Sequence, residues 1–141
     1  MPLPRTPSTR EASASIAELR ARQQRVAALC AGWPETTATQ PYDTETWSFE
    51  VAGKRFAYGL YQHLGDDGRS GVVMKAPPGA QEALVGDDPD HFWVPAFIGR
   101  HGWVGLRLDL DEPDWDAVAA LLRDAWRLAA PNRVQRLPGA P

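Results

Sequence analysis

Three successive segments between residues 46 and 76 alternate apolar with polar side chains, and only turn sequences separate them. "TWSFEV" (46–51) sets Trp47, Phe49 and Val51 against Thr46, Ser48 and Glu50; "AG" leads into "KRFAYGLYQHL" (54–64), and "GDDGRSG" leads into "VVMKA" (72–76). A period of two with such short connections predicts an antiparallel meander, because parallel strands need long crossovers. The chain is therefore built around a β-sheet with at least one apolar face.

That face needs a cover, and amphipathic segments supply it. Ile16, Leu19, Gln23, Val26 and Cys30 recur at steps of three and four, with Arg20, Arg22, Gln24 and Arg25 largely on the other side; Gly32 and Pro34 stop the helix. "DLDEPDWDAVAALLRDAWRLAAP" predicts a second helix over about 113–129. Pro113 lies in its first turn, Pro131 beyond its end, and Trp115, Val118, Leu122, Ala125 and Ala129 on one face. Pro77 and Pro78 begin a short helix over "GAQEALV", ended by Gly86 and Pro89. "PAFIG" (95–99) and "WVGLRL" (103–108) read as a hairpin around "GRHG". The order α-β3-α-β2-α predicts an α+β, two-layer fold: a five-stranded, mainly antiparallel sheet with helices on one face. The other face is expected to meet water or a partner.

A chain of 141 residues suits one domain, expected over 13–135, with 1–12 and 136–141 as flexible tails. No apolar run reaches the ~18 residues of a membrane span, and "MPLPRTPSTREA" lacks the apolar stretch of a secretory signal. The single cysteine excludes an intramolecular disulfide, which fits a reducing compartment. A soluble cytoplasmic protein is expected.

No sequence constellation points to catalysis. "DDPDHF" (87–92) gathers three Asp and a His but finds no further ligands at a telling spacing, and reads as an acidic exit from the short helix. "DLDEPDWD" lacks the glycine and glutamate of a calcium loop and reads as a helix start. "GDDGRSG" has no lysine after its glycines and leads into a strand, so it is a hairpin turn and not a phosphate loop. Cys30 lies on an apolar stripe, and His63, His91 and His101 have no local triad partners. The expectation is a non-enzymatic protein with no cofactor, metal or small-molecule ligand.

The charge is unevenly spread. The net charge is −3, yet Lys54, Arg55, Arg69, Lys75, Arg100 and Arg107 cluster in the strand regions against only Asp66 and Asp67. Strict alternation, with Phe56, Tyr58 and Leu60 inward, sends Arg55, Tyr61, Lys75, Trp103 and Arg107 to the outer face. Cations beside flat rings suit a phosphate backbone with stacked bases. Any half-exposed sheet also shows such residues on its wet side, and a dimer interface would use the same types.

"GKRFAYGL", "VVMKAPPGAQEALVGDDPDHFWVPAFIGRHGWVGLRLD" and "DWDAVAALLRDAWRLAAPNRV" together resemble the MmcQ/YjbR family of small bacterial proteins over roughly residues 40–135. The resemblance implies the same element order, a fold likened to type III secretion chaperones, and a "double wing" DNA-binding motif with wing tips at 65–70 and 99–102. Asp66 and Asp67 in the first tip depart from a phosphate-binding pattern, as does the acidic "QPYDTETW", where the family often carries a histidine-containing segment. The leading expectation is a DNA-binding protein with little base specificity. Lys54, Arg55, Arg69, Lys75, Arg100, His101 and Arg107 then form its basic surface, and Tyr61 and Trp103 its stacking rings. The alternative is a protein-interaction or chaperone-like module, homodimeric or bound to another protein, using the same surface.

Overall fold

The computed structural model describes residues 10–41 and 45–141. Residues 1–9 of the expected N-terminal tail, and 42–44 of the acidic segment, lie outside that range. Helix α1 (Ile16–Cys30) is followed by β1 (Thr36–Thr39), β2 (Trp47–Val51), β3 (Lys54–His63) and β4 (Arg69–Met74). Then come α2 (Ala80–Asp87), β5 (Phe92–Trp93), β6 (Val104–Arg107), α3 (Trp115–Ala129) and α4 (Asn132–Gln135). The strands form one antiparallel sheet of six, ordered β1-β2-β3-β4-β6-β5.

The α+β class and helix-covered sheet are as expected, but the sheet has six strands instead of five. The additional strand, β1, reads "TTAT" and carries no apolar alternation; its signal is only a run of β-branched threonines. The expected strand over 95–99 does not form. Residues 92–93 pair with β6 instead, and Pro95 has no N–H to give a ladder.

Local chemistry explains the helices. Ser15 and Glu18 form a reciprocal capping box at the start of α1, each side chain accepting the other's backbone N–H at 3.1 Å. Asp114 caps α3 by accepting from the N–H groups of Asp116 and Ala117. Leu19, Val26 and Cys30 of α1 and Val118, Leu122, Ala125 and Trp126 of α3 meet Phe49, Phe56, Val72, Met74 and Val104 of the sheet in the main core. Arg22, expected outside, stands three residues after Leu19 and so falls on the buried stripe. Its guanidinium donates to the carbonyls of Leu108 and Leu110, both at 2.9 Å.

One irregularity resets the sheet faces. Phe49 pairs with Ala57 and Glu50 with Arg55, so Phe56 is an extra residue on β3, a β-bulge. Phe56 and Ala57 both go into the helix-side core, and the alternation beyond them is inverted. Tyr58 and Leu60 point to the far face, whereas Tyr61 packs on the helix side. The far face is also partly covered. Trp93 lies against Gly105, where a Cβ would come within 2.5 Å of the indole, and with Leu60 and Val73 it makes a second, smaller core joined by Ile98. Residues 136–141, expected as a tail, lie on the domain: Ala140 packs against the main core, and Arg127 Nε donates to the Pro141 carbonyl at 3.2 Å.

Candidate functional site

At one end of the sheet, near the start of β3, the end of β4 and the C-terminal end of α3, lies a groove of about 590 Å³ lined by Arg55, Lys75, Ala76, His101, Trp103 and Leu128. None of the lining side chains is a carboxylate. Arg55 precedes the bulge, paired with Glu50 of β2: its Nε donates to Ser48 Oγ at 3.1 Å, and its guanidinium sits 4.8 Å from the centre of the Tyr58 ring. Glu50, on the same face of β2, lies 3.5 Å from the guanidinium and neutralises it only in part. Lys75 follows β4, fixed by its backbone N–H donating to the Phe56 carbonyl, and its Nζ stands 6.0 Å from the Trp103 ring. The Trp103 and Tyr58 rings are 5.8 Å apart at 37°. Arg55, Tyr58, Trp103 and Lys75 thus follow one another by contact, two rings between two cations, with Tyr58 beside the groove lining.

The loop that carries His101 is anchored from below. Gln81 of α2 donates to the carbonyls of Gly99 and Trp103, at 2.7 and 2.5 Å, which pins both ends of the short 3₁₀ turn over Ile98–His101. Gly102 closes that turn at φ +84°, a conformation natural to glycine. Arg100 is exposed on the turn, its Nε 3.4 Å from His101 Nε2. Lys54 is exposed at the β2–β3 turn, next to Arg55.

Three of the residues expected at the surface are engaged elsewhere. Arg107 points to the far side, as alternation requires, but is buried. It forms a two-pronged ion pair with Asp109 at 2.8 and 3.2 Å and donates to the Arg10 carbonyl. A buried guanidinium satisfied this fully is a structural clamp. Arg69 donates to the Asp66 carbonyl and the Asp67 carboxylate and lies over Trp93, with a tenth of its side chain exposed. Tyr61 was misassigned because the bulge inverts the alternation.

Sequence reasoning also missed Tyr58, which it placed in the core. A signal was present in Gly59: α1 comes so close there that a Cβ would stand 2.7 Å from Gln23 Oε1. A glycine facing the helix layer sends its neighbours Tyr58 and Leu60 to the opposite face. Beyond Tyr58 lies a second cavity of about 280 Å³, with Leu60, Val73, Phe97 and Ile98 among its walls.

Cys30 is fully buried, and burial pushes its thiol up to about 12, which keeps it protonated. Among the described residues no three His, Cys, Asp or Glu side chains are grouped to hold a metal ion, and no helix is long and apolar enough to cross a membrane.

These features define a class: a small α+β protein whose antiparallel sheet is helix-covered on one side and carries a basic, aromatic groove at one end. The family model described as YjbR matches residues 31–128, so the chain belongs to the YjbR family. The crystal structure of Deinococcus radiodurans protein DR2400, with family-model domain DUF419, shares this fold. Its TM-score is 0.62 at 21% identity, over 84% of this chain and 94% of that one. No curated protein matches the sequence.

Proposed function

We propose that this protein is a non-enzymatic DNA-binding protein that holds the sugar-phosphate backbone in the basic groove. One observation carries the reading: Arg55, Lys75, His101 and Trp103 line a single groove without a carboxylate among them. Lys54 and Arg100 extend the cationic rim, and Trp103 offers a partly exposed ring for stacking. Phosphate contacts of this kind give affinity without base specificity. Of the two candidate wing tips, the 99–102 turn contributes to the groove. In the 65–70 turn Asp66 is turned inward and Arg69 is engaged by Asp67. A cytoplasmic location suits the single buried thiol.

A second reading, contact with another protein or a second copy, is favoured by the exposed apolar residues Leu64, Val94 and Phe97. Titration of labelled DNA at low salt separates the two. Arg55→Ala with Lys75→Ala abolishes most binding on the DNA reading, while light scattering shows an unchanged mass.

A further inference from the structure

The second cavity neighbours the cationic groove, with one side chain between them. Tyr58 lines the cavity while its ring stands 5.8 Å from Trp103 and 4.8 Å from the Arg55 guanidinium. Its remaining walls include Leu60, Val73, Ile98 and Phe97, and Thr46 and Asp66 supply polar groups. A volume of about 280 Å³ accommodates one flat heterocycle and is far too small for a base pair in a duplex.

Phe97 is the unusual member. It is 86% exposed and sits at φ 62°, ψ −58°, the central residue of a tight turn closed by the Ile98 N–H donating to the Ala96 carbonyl at 2.7 Å. A phenylalanine there is strained. The conformation is imposed by Asp66, whose buried carboxylate accepts from the Ala96 N–H at 2.7 Å and from Trp93 Nε1 at 3.0 Å. A strained backbone that holds an aromatic ring in water, beside an apolar cavity with a neighbouring cationic groove, fits a ligand with a flat apolar part and an anionic part.

We propose that this cavity receives one unpaired nucleobase of a strand whose phosphates lie in the neighbouring groove, so that the protein prefers single strands to duplex. The proposal rests on the nucleic-acid reading of that groove. Charge complementarity supports it: the phosphates fall to Arg55 and Lys75, and the base falls to the ring-lined cavity. A duplex can offer the groove its phosphates but cannot offer the cavity a base without unpairing it.

Fluorescence anisotropy with three labelled DNAs of equal length tests this: a single strand, the same strand with abasic sites, and a duplex. The expected result is that the single strand binds about tenfold tighter than either of the others, within the range of one base stack. Phe97→Ala lowers single-strand affinity by about tenfold and leaves abasic-strand affinity unchanged. Equal binding of the abasic and normal strands by wild type overturns the base cavity and leaves the phosphate groove standing. No binding of any DNA at low salt overturns both. A dimer that Phe97→Ala converts to monomer, with single-strand affinity unchanged, overturns the cavity in favour of contact between copies. The abasic comparison uses the wild-type chain, so it holds whether or not the variant folds.

Discussion

Asp66 and Trp93, 27 residues apart in sequence, meet in a hydrogen bond of 3.0 Å between the buried carboxylate and the indole N–H. The same oxygen accepts the Ala96 N–H, and the other faces His63 Nδ1 at 2.9 Å. One carboxylate therefore ties the β3–β4 turn to the segment that covers the far face, and it sets the backbone that displays Phe97. Asp66→Ala leaves two donors without their partner, and we expect a loss of about 2 to 3 kcal/mol in urea unfolding. An effect under about 0.5 kcal/mol contradicts the latch.

Arg107→Ala is expected to act on stability and not on DNA. It strands Asp109 as a buried charge, and breaking such a pair costs about 3 to 5 kcal/mol. Arg100→Ala, on an exposed turn, is expected to change stability by less than about 0.5 kcal/mol. Equal small effects from both arginines would place Arg107 at the surface.

Phe97→Gly removes the strain of a non-glycine residue at positive φ, about 1 to 3 kcal/mol, against a backbone entropy penalty of about 0.5 to 1 kcal/mol. The expected net effect is a gain of about 1 kcal/mol in thermal unfolding. A loss of that size would show that the ring is packed in solution.

Cys30 gives a pH signature. Its pKa rises by burial from an ordinary 9.0 to about 12 in the folded chain, so folding retains a proton that the unfolded chain releases. This contribution is fully present below about pH 9 and is lost as pH rises towards 12. Cys30→Ala is expected to flatten the alkaline limb of stability against pH, and native protein should resist thiol reagents. Rapid labelling of the native thiol contradicts this.

The layers of this fold were legible wherever periodicity was regular. Val72 and Met74, Val104 and Leu106, and the Leu122 face of α3 all pack against the helix-side core as the sequence pattern requires. Two physical events were hidden. The extra residue Phe56 inverts the rest of β3, which exchanged Tyr58 for Tyr61 at the site, and Gly59 is the one local residue that hints at it. The path of residues 93–98 depends on the distant Asp66, whose role cannot be read within either segment alone. At the site, Arg55, Lys75, His101 and Trp103 were legible from alternation and turn position. Arg69 and Arg107 were not, because their carboxylate partners lie close in sequence and capture them first.

The most direct test is the salt dependence of single-stranded DNA binding, measured for wild type and for the Arg55→Ala, Lys75→Ala double variant. Phosphate contacts by Lys54, Arg55, Lys75 and Arg100 predict a slope of log affinity against log salt of about −3, and the double variant reduces it to about −1.5. An unchanged slope in the double variant, or no saturable binding by wild type at low salt, contradicts the groove as a phosphate site.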